Sequence, residues 1–195
     1  VSSPALDHKS IWRHDSFLKA GADQVLLMQK LIAVRPEMRL LDVGCGFGYF
    51  VYSCRQSGID AIGVDIDEEK LSAAPSLFDR QMPIEQALRL SQPGRFPLDD
   101  NQFDIATMWF VMEHVEDVPV VLAEIRRVLK PGGFLLIRCP NFQIPYETHY
   151  ALPLPTFLPK AVSRYVLLLA SRDPYFLGYL NWRVRPAYLE RELVT

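Results

Sequence analysis

The sequence predicts an α/β fold in which a doubly wound, mainly parallel sheet carries helices on both faces. Short apolar runs of strand length alternate along the chain with segments of helical periodicity, an order that produces a parallel sheet with right-handed crossovers. The run Leu40–Val43 is almost continuously apolar rather than alternating, which is typical of a strand that is covered on both faces. This strand also leads through a glycine-rich turn into a helix.

The same patterns predict the individual elements. Residues 1–37 are expected to form a loose arm and then an amphipathic helix over about Ser16–Ala33. The patterns further predict strands at Leu40–Val43, Ala61–Val64, near Ile84–Leu88, Phe103–Met108 and Phe134–Ile137, and helices at Tyr49–Gln56, from about Asp67, and over Val118–Leu129. Gly58 is well placed to stop the helix that begins at Tyr49.

Composition narrows the classes of function. A chain of 195 residues with 49% hydrophobic and 23% charged residues fits a single globular domain. The formal net charge of −2 disfavours nucleic-acid binding, which usually needs a basic surface. The cysteines Cys45, Cys54 and Cys139 have no metal-ligand spacing, so we expect no metal site and a reducing, cytoplasmic location.

The strongest signal is the turn Asp42-Val43-Gly44-Cys45-Gly46-Phe47-Gly48. Glycines at alternate positions let the backbone turn tightly and approach a ligand closely. The turn follows a strand and opens a helix, and Asp65 stands about 20 residues further on, at the end of the next strand. A carboxylate at that place can accept hydrogen bonds from both ribose hydroxyls of a nucleoside.

Two residues indicate which nucleoside is bound. Tyr49 occupies the position at which a dinucleotide-binding turn has its third glycine. Asp42 directly precedes the turn, and its carboxylate would repel a pyrophosphate but favour the ammonium and sulfonium charges of S-adenosylmethionine. The sequence therefore favours S-adenosylmethionine over a nicotinamide dinucleotide.

With these residues the chain resembles the class I S-adenosylmethionine-dependent methyltransferases, in particular their small-molecule branch (type 11/12-like), which have a Rossmann-like fold. The resemblance covers about residues 38 to 141, the predicted cofactor-binding core. Besides the glycine-rich turn, it is carried by four motifs in family order: Gly63–Ile66, Pro97–Asp104, Met112–Val115 and Leu129–Phe134.

The resemblance implies an enzyme and gives roles to its residues. The glycines would line the methionine part of the cofactor, Asp65 would hold the ribose, and Ile66 would pack on adenine. Met108 and Trp109 would face the cofactor near the transferred methyl group, although packing in the core is an equally good interpretation for both. The implied cofactor-binding residues are Asp42, Gly44, Cys45, Gly46, Gly48, Asp65, Ile66, Met108 and Trp109.

The chain departs from the family pattern in two places. The acidic-alanine pair that reads the adenine amine is expected just before Pro97, but Glu85-Gln86-Ala87 lies several residues earlier, which indicates an insertion. The two strands that close the family's sheet are missing after the helix predicted at 184–195. Either the sequence is truncated at this point or the edge of the sheet is completed in another way, and an edge left uncovered would favour a homo-oligomer.

Two histidines are candidates for the general base that a hydroxyl acceptor would require. His149 follows the last recognisable strand and is our first choice, because a residue there could reach over the cofactor. His114 belongs to the Glu-His pair of the family, where a capping or packing role is the simpler interpretation.

Residues 142–183 are rich in aromatic residues and proline, and we expect them to form a rigid cap over a small acceptor. Within them, residues 152–172 are mostly apolar, with basic residues as the only charges. This composition also fits an interfacial helix that makes peripheral membrane contact and reaches a lipid-linked acceptor. Burial of the segment against its own domain is the simpler interpretation.

The predicted function is methyl transfer to a small-molecule acceptor, with an oxygen nucleophile on a sugar, quinone or other metabolite as the first choice. A cofactor-binding but inactive partner subunit is an alternative that the missing strands keep open. A nicotinamide-dependent oxidoreductase is a third hypothesis, which Asp42 and Tyr49 disfavour.

Overall fold

A computed structural model of the chain describes residues 8–74, 78, 84–144, 146, 150, 152–154 and 158–194. The helices are α1 (His8–Leu31), α2 (Tyr49–Gln56), α3 (Glu68–Ser72), α4 (Ile84–Ala87), α5 (Val118–Val128), α6 (Lys160–Leu169) and α7 (Pro186–Val194). The strands are β1 (Arg39–Val43), β2 (Asp60–Asp65), β3 (Leu88–Leu90), β4 (Phe103–Trp109) and β5 (Leu129–Arg138). In this part of the chain, no helix combines the length and apolar character that crossing a membrane requires.

The five strands form one sheet in the order β3-β2-β1-β4-β5. β1 pairs in parallel with both β2 and β4, and β2 pairs in parallel with β3. The strand order therefore reverses between β1 and β4, which is the switch point of a doubly wound sheet and the usual place for a ligand. The predicted fold class is confirmed.

The central strands are buried on both faces. Leu40 and Leu41 of β1, Ala61 and Val64 of β2, and Ile105 of β4 are all inaccessible to solvent. Successive residues of a strand point to opposite faces, so burial of neighbours such as Leu40 and Leu41 requires cover on both sides. This burial explains why the sequences of the central strands are almost continuously apolar rather than alternating.

The region before β3 differs from the prediction. A strand was expected near Ile84–Leu88, but Ile84–Ala87 forms the short helix α4 and the strand runs from Leu88 to Leu90. Register explains the position of the strand, because Leu88 pairs with Gly63 in the middle of β2. Ala87 and Leu88 are both buried, so the apolar run that indicated a strand is divided between two elements.

The N-terminal helix is longer than predicted and packs closely on α2. It begins at His8 rather than near Ser16, since no proline or glycine interrupts the chain between them. At the contact, a Cβ atom added to Gly21 would lie 2.7 Å from the carbonyl oxygen of Tyr49. Glycine at this position allows the two helices to approach.

The chain divides into two compact units. The first comprises Val1–Met108 and Glu124–Leu136, and the second comprises Trp109–Ala123 and Ile137–Thr195. The first unit contains the sheet core described above. The second has a core cluster of Tyr150, Leu154, Leu167 and Leu177, against which Leu152 and Trp182 pack. The hydroxyl of Tyr150 accepts a hydrogen bond of 2.8 Å from the backbone N–H of Leu177, which ties two segments of this cluster together.

In the first unit, Arg127 of α5 holds the loop that precedes β4. Its guanidinium group donates to Asp100 (2.5 Å), to Glu124 (2.7 Å) and to the carbonyl oxygen of Leu98 (2.8 Å). Glu124 in turn accepts a hydrogen bond of 2.7 Å from the backbone N–H of Phe96. These hydrogen bonds, the one from Arg127 first, hold the pKa of Glu124 below its ordinary value. The network fixes the path of the motif Pro97–Asp104.

Substitution of Arg127 by alanine should lower the free energy of unfolding by about 1–3 kcal/mol, because several loop acceptors lose a charged donor. Urea denaturation measures the loss, and Lys19→Ala serves as the control because Lys19 is an exposed basic residue of α1 in the same unit. Since the pKa of Glu124 is lowered in the folded protein, the difference should be present at neutral pH and shrink as the pH falls through the acid range. Equal losses in the two variants would contradict this role of Arg127.

Candidate functional site

The turn after β1 is shaped by its glycines and by β2. The backbone N–H groups of Gly44 and Cys45 both donate to the carbonyl oxygen of Val64, at 2.8 and 3.1 Å. Gly46 and Gly48 have φ angles of +54° and +76°, a region that residues with a Cβ atom rarely adopt. The chain therefore folds back over the end of β2 and enters α2 at once.

Asp65 holds this turn in place. The carboxylate of Asp65 accepts a hydrogen bond of 2.6 Å from the N–H of Gly46 and one of 2.9 Å from the N–H of Asp67. The residue is 8% exposed. A carboxylate offers about four acceptor positions, so two of them are in use within the protein and the remaining lone pairs can receive hydroxyl groups.

Two of the glycines face different surroundings. Among the described residues, a Cβ atom added to Gly46 would have one neighbour within 4 Å, the side chain of Lys70 at 3.9 Å, so this part of the chain leaves the space next to Gly46 open. A Cβ atom added to Gly48 would lie 2.8 Å from the side chain of Leu88 and 3.2 Å from that of Phe78. Gly46 therefore leaves room for a ligand, whereas Gly48 is required by the packing of β3.

Cys45 is held against β2. A Cβ atom added to Gly63 would lie 2.6 Å from both the Cβ and the Sγ atom of Cys45, so glycine at position 63 allows this side chain to fit. Burial, together with the charges of Asp42 and Asp65, raises the pKa of the Cys45 thiol well above its ordinary value. The thiol stays protonated at neutral pH and acts as a packing group.

Asp42 is a buried carboxyl group at the switch point. It is 3% exposed, and its Oδ1 atom accepts a hydrogen bond of 2.7 Å from the hydroxyl of Thr107 on β4. Burial raises the pKa of Asp42 to about 7, and the nearby charge of Asp65 adds to the effect, while the bond from Thr107 opposes it. A carboxylate in this position is stabilised when a positive charge comes close.

The remaining residues implied for the cofactor differ in accessibility. Ile66, directly after β2, is 62% exposed and presents apolar surface next to Asp65. Met108 is 1% exposed and lies in the core. Trp109 at the end of β4 is partly buried. Contact of these residues with the cofactor stays a prediction.

The two candidate bases differ in what the structure describes. His114 ends a 3₁₀ turn at Met112–His114 of the second unit; its ring is exposed, and its Nδ1 atom lies 3.3 Å from the carbonyl oxygen of Tyr179. His149 lies outside the described residues.

Some residues beside the turn were missed by the sequence analysis. Thr107 was read only as part of a strand, although it is the hydrogen-bond partner of Asp42. From α1, the ring of Phe17 stacks on Tyr49 with centroids 5.2 Å apart, and the Nδ1 atom of His14 lies 2.9 Å from the Tyr49 hydroxyl. Helical periodicity gave no sign of these contacts, because they join residues more than 30 positions apart.

The structure also separates Glu85–Ala87 from the end of β3. These residues belong to α4 and precede the strand, whereas Ser91 follows it and donates from its backbone N–H to the carbonyl oxygen of Asp65 at 2.8 Å. Gln92 comes next and forms an antiparallel bridge with Arg95. Asp65 thus pairs with Leu90 at the end of β3 and bonds to Ser91, the residue after it.

Together, these features fit a cationic nucleoside. Gly46 leaves open space beside Asp65, Ile66 offers an apolar surface, and Asp42 and Asp65 supply carboxyl groups for positive charge and for hydroxyls. A pyrophosphate would meet two acidic groups in the same place, which makes a dinucleotide unfavourable. Within the described residues, no cluster of three or more histidine, cysteine, aspartate or glutamate side chains could hold a metal ion.

Comparison with known proteins agrees with this chemistry. The model of the methyltransferase domain family matches residues 41–137. A ubiquinone biosynthesis O-methyltransferase of Methylococcus capsulatus is 36% identical over 53% of the chain and 44% of its own length. A demethylmenaquinone methyltransferase of Tropheryma whipplei is 31% identical over 84% of the chain and 66% of its own length. The chain thus spans about half to two thirds of the length of these relatives.

A solved structure supports the fold independently. The phosphoethanolamine N-methyltransferase 2 of Haemonchus contortus, in complex with phosphomonomethylethanolamine and S-adenosylhomocysteine, superposes on this chain with a TM-score of 0.66. The alignment covers 88% of this chain and 36% of that protein at 20% identity, a level that speaks for the fold alone. The family model, the relatives and the fold all agree with the motifs in the sequence. The chain therefore belongs to the class I S-adenosylmethionine-dependent methyltransferases.

Proposed function

We propose that this chain transfers a methyl group from S-adenosylmethionine to an oxygen nucleophile of a small-molecule acceptor. The observation that carries the proposal is the pair of buried acids around an open glycine turn. Asp42 has a pKa of about 7 in its buried position, and Asp65 anchors the backbone of Gly46. A cation with hydroxyl groups satisfies both acids, and S-adenosylmethionine is such a molecule.

The residues have separate tasks in this proposal. Backbone groups at Gly44, Gly46 and Gly48 line the methionine part, Asp42 faces its positive charge, and Asp65 accepts the ribose hydroxyls. Ile66 covers adenine, and the adenine amine is read at Ser91–Gln92, because Ser91 bonds to Asp65 whereas Glu85–Ala87 precede β3. Bound S-adenosylmethionine supplies an electrophilic methyl group, so the protein must align the acceptor, exclude water and take up its proton.

The acceptor proposed is a quinone precursor, a sugar or a related metabolite with a hydroxyl group. The names of two relatives, a ubiquinone biosynthesis O-methyltransferase and a demethylmenaquinone methyltransferase, support the quinone class. We place the reaction in the cytoplasm, since Cys45, Cys54 and Cys139 are all free thiols, as a reducing compartment would keep them.

Peripheral membrane contact through residues 152–172 is a further part of the proposal. In α6, Ser163 and Leu167 are buried, whereas Leu168 is 54% and Leu169 is 69% exposed. Val162, Tyr165 and Val166 extend this exposed apolar face. The charges of the segment are Lys160, Arg164 and Arg172, all basic, which complements an anionic lipid surface.

A homo-oligomer through a sheet edge is also proposed. β5 lies at one edge of the five-stranded sheet, and Phe134 on this strand is 49% exposed. An edge strand has unpaired backbone groups that a second copy can use.

Release of S-adenosylhomocysteine in the presence of hydroxyl-bearing acceptors tests the activity directly. Binding of S-adenosylmethionine without turnover on any acceptor of these classes would favour an inactive partner subunit. Calorimetric titration with NAD tests the oxidoreductase alternative, for which binding of NAD in preference to S-adenosylmethionine is required.

His149 is proposed as the general base, with His114 as the alternative. Replacing the residue that acts as the base should lower turnover with a hydroxyl acceptor about 10²–10⁴-fold, because the proton of the acceptor is no longer removed. The affinity of that variant for S-adenosylmethionine should not change. Steady-state kinetics of His149→Ala and His114→Ala, each serving as the control for the other, assign the role. Losses below about tenfold in both would indicate catalysis by alignment alone.

Substitution of Asp65 by alanine should weaken binding of S-adenosylmethionine by about 1.5–3 kcal/mol, the range for hydrogen bonds to a charged group. From the sequence alone, the position of Asp65 at a strand end would suggest little effect on folding. The structure changes this expectation: because Asp65 accepts hydrogen bonds from Gly46 and Asp67, the variant should also lose about 1–3 kcal/mol of stability. Calorimetry and thermal unfolding measure the two effects. Asp67→Ala is the control, since it removes a neighbouring carboxylate that caps α3; unchanged affinity in Asp65→Ala would refute the ribose assignment.

Affinity for S-adenosylmethionine should fall as the pH is lowered through 7. The raised pKa means that Asp42 becomes protonated in this range and loses the charge that attracts the cofactor. Lowering the pH from about 7.5 to about 6 should weaken binding of S-adenosylmethionine about five- to tenfold, because Asp42 of the free protein takes up a proton over this range. Asp42→Asn keeps an oxygen for the Thr107 hydroxyl and removes the charge. The Asp42→Asn variant should bind S-adenosylmethionine weakly at every pH, and its affinity should not change with pH. If the affinity of this variant still falls with pH, the titrating group is not Asp42.

Binding to vesicles tests the exposed face of α6. The wild type should sediment with vesicles of anionic lipid, and salt should weaken the association, because Lys160 and Arg164 lie beside the apolar residues. Leu168→Glu/Leu169→Glu should abolish sedimentation without loss of folding, since both side chains are exposed. Val120→Glu, at another exposed apolar position of the second unit, should leave it unchanged. A wild type that stays in solution would end the membrane proposal.

A further inference from the structure

The second unit contains a pocket of about 730 Å³ with an unusual charge pattern. Among the described residues that line it, four are basic, Lys160, Arg183, Arg185 and Arg191, and none is acidic. The chain as a whole carries a formal net charge of −2. The concentration of positive charge is therefore a local property of this pocket.

The loop that carries two of the arginines is held by three hydrogen bonds of Asn181. Asn181 donates from its backbone N–H to the carbonyl oxygen of Glu113 at 2.6 Å and from its side-chain amide to that of Val115 at 2.7 Å. Its Oδ1 atom accepts from the backbone N–H of Arg183 at 3.1 Å. The backbone at Arg183 is thereby fixed before any ligand binds, which lowers the entropic cost of binding.

The basic groups are oriented by neutral partners. Lys160 donates to the carbonyl oxygen of Leu180 at 2.8 Å, and the Nε atom of Arg185 donates to the carbonyl oxygen of Trp182 at 3.2 Å. Among the described residues, no carboxylate forms an ion pair with Lys160, Arg183 or Arg185. Their positive charge is not neutralised within this part of the chain, so an anion in the pocket would be attracted.

Aromatic rings form another part of the lining. The guanidinium group of Arg191 lies 5.3 Å from the ring centroid of Tyr188, an arrangement that keeps this cation over the ring. Arg191 also pairs with the adjacent Glu192 at 2.8 Å. Trp182 packs against the core cluster of the unit, which gives the pocket a firm wall. Tyr188 and Trp182 provide apolar surface beside the basic groups.

We propose that this pocket binds the phosphate group of a small phosphorylated molecule whose organic part contacts Trp182 and Tyr188. A phosphate has several acceptor oxygens and about two negative charges, which match the ammonium group of Lys160 and the guanidinium groups of Arg183 and Arg185 better than a single carboxylate does. The volume exceeds what a phosphate alone occupies, and the aromatic lining suits an organic substituent. This site is independent of the proposed methyl transfer, for which no phosphate is required.

Calorimetry with phenyl phosphate, inorganic phosphate and phenol tests the proposal on the full chain. We expect phenyl phosphate to bind more tightly than inorganic phosphate, and phenol not to bind. Arg183→Gln and Arg185→Gln should each weaken binding of phenyl phosphate about tenfold, the loss expected for a charge-assisted hydrogen bond. Arg183 is exposed and its variant should fold normally, whereas Arg185 also holds the Trp182 carbonyl. Arg172→Gln removes the same charge from an exposed position outside the lining and should stay within about twofold of the wild type.

Absence of phosphate binding would overturn the proposal, as would an equal loss in all three variants, because the attraction would then be a property of net charge. A second titration identifies the source of the phosphate. Displacement of phenyl phosphate by vesicles that contain phosphatidic acid supports a lipid headgroup as the ligand. Binding of phenyl phosphate that such vesicles do not displace supports a soluble phosphorylated metabolite.

Discussion

The carboxylate of Asp65 is the constraint on which the functional end of the sheet depends. Its oxygens accept from Gly46 in the turn after β1 and from Asp67 before α3, and its own carbonyl oxygen accepts from Ser91 after β3. One residue thus joins the carboxyl ends of three neighbouring strands. The turn can follow this path because Gly46 tolerates a positive φ angle, and the open space beside it exists for the same reason.

The buried position of Asp42 lowers the stability of the fold at neutral pH. Asp42 has a raised pKa in the folded protein, so its contribution to stability is complete below the pKa of the unfolded chain and is lost as the pH rises from about 4 to about 7. Glu124 and Asp104 behave in the opposite way: burial alone would raise the pKa of Asp104, but hydrogen bonds from Lys130 and the Arg39 backbone lower it. The ionised carboxylates of Glu124 and Asp104 therefore stabilise the fold at neutral pH. The ionised form of Asp42 becomes favourable when a cation lies close to it.

Local patterns predicted the features that depend on local geometry. The glycine turn, the helix from Tyr49 to Gln56 and the end of β2 at Asp65 were predicted correctly, because each rests on adjacent residues. The exchange of strand for helix at Ile84–Ala87 could not be predicted, since the register of β3 is set by its partner Gly63. For the same reason, the pairing of Thr107 with Asp42 depends on the alignment of β1 with β4 and leaves no local signal.

A near-neutral composition hides two opposite charge arrangements. In the first unit, Asp42 and Asp65 place two acids around an open turn, an arrangement suited to a cationic nucleoside. In the second, Arg183 and Arg185 line a pocket whose described lining holds no acidic residue, an arrangement suited to an anion. The net charge of −2 excludes neither, because it sums over groups that act only on ligands within a Debye length. Net charge therefore argues against an extended basic surface, while the kind of ligand that would suit each unit depends on which charges the fold brings together.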